Sequence, residues 1–307
     1  MKKKIIVIIQ ARLTSKRFPN KVIQKIGNLT IIELIFKRLK KSKLTDEIIF
    51  AIPSNKKNSK LFTHINEIGG QVFRGSENNV LDRYFKIAKK FRASDIIRVT
   101  ADCPLIDPKI IDRMIQVYLK DRPDYLNNAF SPNYSDGFDV EIFSFNALKL
   151  AKMEAVTNFD REHVTPYIKR SNKIKKQHIE IIKNYNIKLS VDKKEDLKRV
   201  KKVYRYFYPN IFFSVKDIFK RNLHKKFFAK EIKKENFLQN RTITGQKLWK
   251  KSKRLIPGGN MLLSKNPDRY LPDVWPAYFK SAKGCRVKDL DGNEYIDFSL
   301  MGVGTNI

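Results

Sequence analysis

Residues 5–21 of this chain read IIVIIQARLTSKRFPNK, and this stretch decides the fold. Residues 5–9 are all apolar β-formers, the composition of a strand that is buried on both faces of a parallel sheet. A polar loop begins at Gln10, and its cations and hydroxyl groups come from Arg12, Thr14, Ser15, Lys16, Arg17 and Lys21. Ligands of open α/β sheets bind outside the carboxyl ends of the strands, where such groups suit a polyphosphate. The loop is therefore predicted to bind phosphate, with a solvated basic loop as the alternative.

The chain up to about residue 222 alternates between helical and strand patterns. Helices are predicted over 31–39, 58–68, 79–91, 108–119, 144–153, 158–170 and 193–205. Strands or extended segments are predicted over 47–52, 71–73, 95–100, 124–128, 138–143, 178–183 and 187–191. Repeated strand–helix–strand units indicate an α/β fold with a doubly wound, mostly parallel sheet. The first turn has no G-x-G-x-x-G, which argues against a Rossmann dehydrogenase.

The composition is strongly basic, with a net charge of +33 over 307 residues and a hydrophobic share of 42%. Such a charge invites a nucleic-acid or anionic-membrane partner. The lysines are spread over every segment and no nucleic-acid-binding motif accompanies them. A general compositional bias is therefore the favoured interpretation, and a basic nucleic-acid-binding protein is the alternative. No apolar run approaches the roughly 20 residues of a membrane span, so we expect no membrane partner.

Three segments are predicted along the chain. Residues 1–222 form the α/β domain, residues 223–244 form a lysine-rich linker, and residues 245–307 form an incomplete C-terminal appendage. In the appendage, Asp291-Gly292 is a good turn between strands around 285–290 and 294–298. Cys103 and Cys285 lack the spacing of a disulfide framework or a zinc site, which fits a reducing cytoplasm.

The loop after the first strand resembles a known signature. The pattern Q-A-R-x-[GT]-S-x-R-[LF]-P-x-K is matched by Gln10, Ala11, Arg12, Ser15, Arg17, Pro19 and Lys21. It is the nucleotide-binding signature of cytidylyltransferases similar to spore coat polysaccharide biosynthesis protein F, which are relatives of the CMP-sugar-acid synthetases. The resemblance implies a Rossmann-like nucleotide-diphospho-sugar transferase fold and nucleotide contacts from all of these positions except Pro19. Asn20 stands where glycine is common, and asparagine tolerates the left-handed backbone expected there.

Two aspartates are expected to hold a divalent metal. Asp102 lies in TADCPL (100–105), which resembles the family's T-[GA]-D-C-P-L motif, whose aspartate binds the metal. Mg²⁺ takes carboxylates together with phosphate oxygens and water, so one aspartate is too few. Asp192, in a stretch similar to the family's [LV]-x-[VI]-D-x-x-E-D-L, is the candidate second ligand, and its alternative role is a helix N-cap. The resemblance thus implies Mg²⁺ as cofactor and Arg12, Lys21 and Asp102 as catalytic residues.

Three further motifs resemble signatures of the same family. In RGSENNVLDRY (74–84), nucleotide contacts are implied for Arg74, Ser76, Asp82 and Arg83. An intrahelical salt bridge is the alternative there. In DGFDVE (136–141) and REHVTPY (161–167), substrate contacts are implied for Asp136, Asp139, Glu141, Arg161 and His163. Strand alternation places Asp139 and Glu141 on one face of the strand. A lone histidine such as His163 is as often structural.

The reaction that the resemblance implies is nucleotidyl transfer. A sugar hydroxyl would attack the α-phosphorus of CTP, and pyrophosphate would leave. Such a reaction requires positioning and charge neutralisation rather than a covalent nucleophile, and Arg12, Arg17 and Lys21 would hold the β- and γ-phosphates. The residues identify neither a dedicated general base nor the nucleobase nor the acceptor sugar or sugar acid, and they leave a homodimer open.

The C-terminal appendage carries a second resemblance. Residues 245–307 resemble the N-terminal segment of class III PLP-dependent aminotransferases similar to glutamate-1-semialdehyde aminomutase, over about sixty positions. That family's Schiff-base lysine and pyridinium-binding acid lie in a large domain beyond the matched part. The resemblance therefore implies a truncated or split bifunctional fusion, in which PLP is not expected to bind. A PLP aminotransferase is the rival enzyme class.

Overall fold

The computed structural model describes residues 3–129, 136–180, 187–223, 227, 243–256 and 276–296. The chain divides into two compact units, Met1–Phe227 and Phe228–Ile307. The strands of the first unit are β1 (Ile5–Gln10), β2 (Lys25–Ile26), β3 (Leu29–Thr30), β4 (Glu47–Pro53), β5 (Gln71–Gly75), β6 (Asp95–Thr100), β7 (Tyr125–Asn127), β8 (Glu141–Ser144) and β9 (Lys176–His178). Its helices are α1 (Ile31–Leu39), α2 (Ser59–Glu67), α3 (Val80–Lys90), α4 (Pro108–Asp121), α5 (Phe145–Glu154), α6 (Asn158–His163), α7 (Pro166–Arg170), α8 (Lys194–Phe207) and α9 (Val215–Lys220).

Seven of these strands form one sheet, in the order β5, β4, β1, β6, β8, β7, β9. The central strand β1 pairs in parallel with β4 and with β6. The short strand β8 runs antiparallel to both β6 and β7, and β9 is parallel to β7. The doubly wound, mostly parallel sheet predicted from the sequence is confirmed. Its carboxyl edge on β1, β4, β5 and β6 is where a ligand of such a sheet binds.

The apolar run of β1 is the centre of the core. Ile6, Val7, Ile8 and Ile9 have no exposed surface. Each such side chain stabilises the fold by about 1.5–3 kcal/mol relative to an exposed one. Ile6 and Ile8 belong to the cluster that packs under α3 and α5, together with Tyr84 of α3. Because alternate residues of a strand share a face, the next member of that series is Gln10.

The predicted helix over 158–170 is wrong, because the chain forms α6 and α7 with a break between them. Val164 has φ 70°, a left-handed value that no helix accommodates. Pro166 then opens α7, where its missing N–H is not needed. Proline also restricts the backbone of the residue before it, so a break before position 166 follows from ordinary proline chemistry.

The predicted strands at 178–183 and 187–191 are also corrected. β9 ends at His178, and residues 181–183 lie outside the described residues. Residues 187–191 form an isolated parallel bridge, Asp136 with Lys188, instead of a strand. The Leu189 N–H donates to the Asp136 carbonyl at 2.8 Å, and the Val191 N–H donates to the Asp102 carbonyl at 2.7 Å. These bonds lay the segment before α8 across the carboxyl end of β6.

The second unit contains α10 (Ile243–Leu255) and a three-stranded antiparallel sheet of β10 (Phe279–Lys283), β11 (Arg286–Asp289) and β12 (Glu294–Ile296). The predicted turn at Asp291-Gly292 is confirmed, with φ 85° at Gly292. The Asp289 carboxylate accepts the N–H groups of Asp291 and Asn293 at 3.0 and 2.8 Å, which fixes the turn. Among the described residues, no helix is long and apolar enough to cross a bilayer.

Candidate active site

The loop after β1 is held by its own backbone and by one buried side chain. Asn20 closes the loop by donating its N–H to the Leu13 carbonyl at 3.0 Å. Its φ of 58° is the left-handed conformation predicted for this position. The Leu13 N–H donates to Oδ1 of Asn58 at 2.8 Å, and Asn58 has no exposed surface. The loop is therefore ordered before any ligand arrives.

A short chain of side-chain hydrogen bonds extends this support. Nδ2 of Asn58 donates to Oδ1 of Asn55 at 2.6 Å, and Asn55 in turn donates to the Glu77 carboxylate. The other oxygen of Glu77 accepts the Thr14 hydroxyl at 2.5 Å. Sequence reasoning missed these three supporting residues, because they come from two different loops. The available signal was a run of polar residues directly after a buried strand, β4.

Lys21 is the point where the phosphate loop meets the two predicted metal ligands. Its Nζ lies 3.0 Å from Oδ2 of Asp102 and 3.3 Å from Oδ1 of Asp192, and it also donates to the Val191 carbonyl at 2.8 Å. Only 11% of the Lys21 side chain is exposed, so the ammonium is enclosed by these oxygens. The structure thus brings Lys21, Asp102 and Asp192 together from three distant parts of the sequence.

Asp192 faces cations rather than the helix that follows it. Its carboxylate also accepts Arg17 Nη2 and Lys188 Nζ, each at 3.0 Å. Burial would raise the pKa of Asp192, but the hydrogen bond from Lys188 and the charge of Lys21 hold it below the usual value. At the start of α8, Asp196 Oδ2 accepts the N–H groups of residues 192 and 193, both at 2.9 Å. The alternative role of Asp192 as helix N-cap is therefore wrong, since Lys193 holds the N-cap position and Asp196 accepts its N–H.

The residues around Lys21 fit the divalent metal that the resemblance implies. Two carboxylates converge on one cationic atom, and the ammonium stands where a shared cation would lie. Mg²⁺ is commonly bound by one or two carboxylates completed by phosphate oxygens and water. No group of three His, Cys, Asp or Glu side chains in the described ranges could hold a metal ion on its own. The protein would therefore supply part of the coordination sphere, and the nucleotide and water the rest.

Asp136 and Asp139 lie in the same acidic region. The Ser190 hydroxyl donates to Asp136 at 2.5 Å, which ties this aspartate to the segment before α8. Burial and the neighbouring carboxylates of Asp136 and Asp102 raise the pKa of Asp139 to about 8. Residue 137 passes so close to the segment before α8 that it must be glycine. A Cβ at this position would lie 2.6 Å from the backbone carbon of Leu189. The two predicted substrate ligands thus adjoin Asp102.

Glu141 is already surrounded by protein donors. Its carboxylate accepts Arg98 at 2.5 Å and the Tyr125 hydroxyl at 2.6 Å, together with Lys169 at 2.7 Å and the Thr165 hydroxyl at 3.0 Å. Burial opposes its charge, but Arg98 and Lys169 lower the pKa of Glu141 to about 2. The geometry makes it the centre of an ionic cluster at the start of β8, and its predicted contact with substrate stays a prediction.

The predicted nucleotide contacts of RGSENNVLDRY (74–84) lie partly on the surface and partly in the interior. Asp82 pairs with Lys86 at 2.8 Å and with Lys152 at 2.9 Å, so the salt-bridge alternative describes its contacts. Asn79 caps α3 by accepting the Asp82 N–H at 2.9 Å, and Ser76 accepts the N–H of Asn79 at 3.1 Å. Arg74 donates to the Ser54 carbonyl at 2.7 Å. Arg83 is 1% exposed, and two of its nitrogens have no hydrogen-bond partner.

The remaining predicted residues lie around the loop and α6. Ala11 is buried and donates its N–H to the Ala51 carbonyl at 3.2 Å, while Ser15 is half-buried within the loop. Arg12 Nη2 contacts Glu162 of α6 at 3.2 Å. Arg161 and His163, on either side of this glutamate, are exposed. This ion pair joins the nucleotide loop to α6, and sequence reasoning named both neighbours of Glu162 but not Glu162 itself.

Comparison with known proteins identifies the family of this chain. The family model described as "Cytidylyltransferase" matches residues 6–243. The chain belongs to the cytidylyltransferase family. It is 32% identical to the spore coat polysaccharide biosynthesis protein SpsF of Bacillus subtilis over 210 residues, which is 66% of this chain and 86% of SpsF. It is accordingly a nucleotidyltransferase.

Two solved structures share the fold of this chain. A cytidylyltransferase from Leptospira borgpetersenii superposes with a TM-score of 0.68 at 30% identity, covering 73% of this chain and 97% of that one. CMP:2-keto-3-deoxy-manno-octonic acid synthetase complexed with CTP gives a TM-score of 0.53 at 14% identity, over 66% of this chain and 99% of that one. The second likeness concerns the fold alone.

Proposed function

We propose that this cytidylyltransferase transfers CMP from CTP to a hydroxyl of a sugar or sugar acid, with Mg²⁺ as cofactor and release of pyrophosphate, in the synthesis of a surface glycan. The observation that carries the proposal is the placement of Lys21 between Asp102 and Asp192, at the end of a phosphate-type loop. The relatives add support, since SpsF is named for polysaccharide biosynthesis and the sugar-acid synthetase holds CTP.

In this proposal, the loop cations exchange protein carboxylates for phosphate. Arg12 would leave Glu162, Arg17 and Lys21 would leave Asp192, and all three would contact the β- and γ-phosphates. The pair of Arg12 and Glu162 is open to solvent and contributes only about 0–1 kcal/mol, so its exchange costs little, whereas the enclosed Lys21 would exchange one set of anionic partners for another. Asp102 and Asp192 would then hold Mg²⁺, which when bound neutralises negative charge that develops on the phosphates.

The protein's own residues account for the rest of the arrangement. Asn58 and Glu77 keep the loop in place, which lets backbone N–H groups meet the triphosphate without further ordering. Asp136 and Asp139 would accept hydrogen bonds from the acceptor's hydroxyl groups beside Asp102. The exposed Arg161 and His163 would face the acidic group of a sugar acid.

The test is pyrophosphate release with each of the four nucleoside triphosphates against a panel of neutral sugars and sugar acids, in the presence of Mg²⁺. We expect release with CTP and at least one sugar acid, and its loss in Asp102→Asn. The matched control is Asp121→Asn, at the end of α4, where the carboxylate accepts a surface hydrogen bond from Gln177. A folded wild type that releases no pyrophosphate with any pair would contradict the proposal.

We also propose that residues 245–307 correspond to the aminotransferase N-terminal segment that they resemble, and that these residues carry no aminotransferase activity of their own. The supporting observation is the hairpin of β11 and β12 with its Asp291-Gly292 turn. Adding PLP to the protein should produce no internal-aldimine absorbance band. A stable band together with transamination would show that the chain is a PLP enzyme.

A further inference from the structure

A cavity lies next to the candidate active site but shares none of its predicted residues. It has a volume of about 390 Å³ and is lined by Ile23, Thr30, Lys60, Thr63, His64 and Glu67. Ile23 ends the short helical turn Lys21–Ile23, Thr30 ends β3, and the other four residues belong to α2. Small-molecule sites in proteins have volumes of about 300–1,000 Å³. The cavity is therefore large enough for a molecule of the size of a sugar.

Four of the lining residues form a single stripe along α2. They occupy positions 60, 63, 64 and 67, a spacing that brings side chains to one face of a helix. The core-facing side of the helix is a different one, since Leu61 and Ile65 have no exposed surface. A polar stripe outside the core face usually meets only solvent. Here Ile23 and Thr30 stand opposite the stripe, so its side chains face a cavity with two walls.

His64, in the middle of the stripe, is held in place by the start of α1. Its Nε2 lies 2.9 Å from the Thr30 hydroxyl oxygen, and only 22% of its side chain is exposed. The same hydroxyl accepts the Glu33 N–H at 3.3 Å, and Glu33 accepts the Thr30 N–H at 2.6 Å. Nδ1 of His64 lies 3.6 Å from the Glu67 carboxylate. The imidazole is thus a fixed part of the cavity wall.

Lys60 and Thr63 bring polar groups that the protein leaves unused. In the part of the chain that the structure describes, neither the Lys60 ammonium nor the Thr63 hydroxyl makes a hydrogen bond or an ion pair. Lys60 lies in the first turn of α2, where the helix dipole also favours an anion. Glu67 ends the stripe about 10 Å further along the helix axis. The cavity therefore has a cationic end and an acidic end, with hydroxyl and imidazole groups between them.

These groups match a small sugar that carries one anionic group. The Lys60 ammonium suits a carboxylate or a phosphate. Glu67 only accepts hydrogen bonds, so the opposite end of the ligand must carry donors such as hydroxyl groups. The half-buried Ile23 suits the apolar face of a sugar ring. An α-amino acid does not fit, because one carbon separates its two charges and about two helical turns separate Lys60 from Glu67.

We infer that this cavity is a second ligand site of the protein and that it binds a small anionic sugar. Lys60 binds the anionic group, Thr63 and His64 contact ring hydroxyls, and Glu67 accepts hydrogen bonds from the far end. The inference goes beyond the proposed function and does not depend on it, since no lining residue takes part in the proposed CMP transfer.

The test follows the ring signals of isotope-labelled histidine by NMR in the full-length protein. The chain has four histidines, and His64→Gln identifies the His64 signal. Glucose 6-phosphate and glucuronate are the two anionic sugars, and glucose and inorganic phosphate each lack one half of the ligand. We expect at least one anionic sugar to shift the His64 signal saturably, with glucose and phosphate binding at least about tenfold more weakly. No shift with either anionic sugar, or equally tight binding of inorganic phosphate, overturns the inference.

A pair of variants separates this site from general attraction to a basic surface. Lys60→Met and the control Lys57→Met each remove one exposed lysine charge, and Lys57 does not line the cavity. We expect Lys60→Met to weaken the binding seen at His64 at least about tenfold and Lys57→Met to leave it unchanged. Equal weakening in the two folded variants overturns the inference. A sugar that shifts only His163 overturns it too, while supporting an acceptor at the candidate active site.

Discussion

Two regions at the carboxyl edge of the sheet use the same kind of ion pair for different purposes. The pair of Arg12 and Glu162 is open to solvent, with side chains 39% and 45% exposed. The pair of Arg98 and Glu141 is enclosed, with side chains 17% and 6% exposed. Open pairs contribute little to stability and exchange partners easily, whereas breaking an enclosed pair leaves an uncompensated charge in the interior. Exposure, rather than residue type, separates groups available to ligands from groups that hold the fold.

The comparison bears directly on Glu141. Its motif suggests a substrate ligand, but four protein donors already occupy the carboxylate. Lys21 lies between the two extremes, enclosed like Arg98 yet placed among the carboxylates expected to hold the metal. The predictions below test each of these positions in turn, from the largest expected effect to the smallest.

Glu141→Gln should give the largest loss of stability, because it leaves the buried Arg98 without its counter-charge. We expect the free energy of unfolding to fall by about 3–5 kcal/mol, measured by urea denaturation at pH 7. The control, Glu162→Gln, removes an open pair and should cost less than about 1 kcal/mol. Similar values for the two variants would contradict the distinction between the regions.

Glu141 should also make the stability of the fold depend on pH in the acid range. The pKa of Glu141 is about 2 in the folded protein and near 4.5 when unfolded. Because the folded value is depressed, the stabilisation is fully present above the unfolded value and is lost as pH falls from about 4.5 through about 2. Glu141→Gln should therefore show a shallower loss of melting temperature over this acid range than wild type. An equal loss of melting temperature in the two proteins over this acid range would exclude this role of Glu141.

Asp102→Asn and Asp192→Asn should each lower turnover by roughly 10²–10³-fold while leaving the fold intact, since each removes one charge from the proposed metal site. The double variant should be scarcely worse than either single one, because the two carboxylates act as a unit. Steady-state kinetics and thermal melts on the three variants check this. Full activity in Asp192→Asn would contradict its role as the second metal ligand, which would then be sought at Asp139 or Glu141.

Asp139→Asn should give an effect that grows with pH across the neutral range. The pKa of Asp139 is raised to about 8, so the folded protein favours the protonated acid. Stability is therefore lost as pH rises from the unfolded value of 3.8 through about 8, and the amide removes that loss. We expect the variant to match wild type near pH 4 and to become progressively more stable than wild type as pH rises towards about 8, in thermal melts without added metal. A constant difference in stability between the two proteins across this range would show that the pKa of Asp139 is not raised.

Much of this arrangement could be read from the sequence because it depends on local patterns. The apolar run of β1, the loop that follows it and the alternation of helices and strands required only periodicity and composition. The left-handed turn at Asn20 required only the backbone preferences of asparagine. Asp102 was placed at the end of β6 by the same reasoning, and the structure has it there.

Other features could not be read because they depend on contacts between distant segments. The support of Leu13 by Asn58 joins residues 45 positions apart, and no local pattern marks it. Strand alternation placed Glu141 on a polar face, but only tertiary packing brings Arg98, Tyr125 and Lys169 to it. The lack of acceptors around Arg83 is likewise a property of the packed interior. Its helical position alone suggested an ordinary salt bridge.

The central claim is that Lys21 is an internal cation that holds Asp102 and Asp192 in the free enzyme and gives up this place on ligand binding. A Mn²⁺ titration without nucleotide, followed by electron paramagnetic resonance, tests it in wild type, Lys21→Met and the control Lys16→Met, which carries the same change of charge in the same loop. We predict that Lys21→Met binds Mn²⁺ at least about tenfold more tightly than wild type and the control, although its affinity for CTP falls. Equal or weaker Mn²⁺ binding by a folded Lys21→Met would contradict the claim.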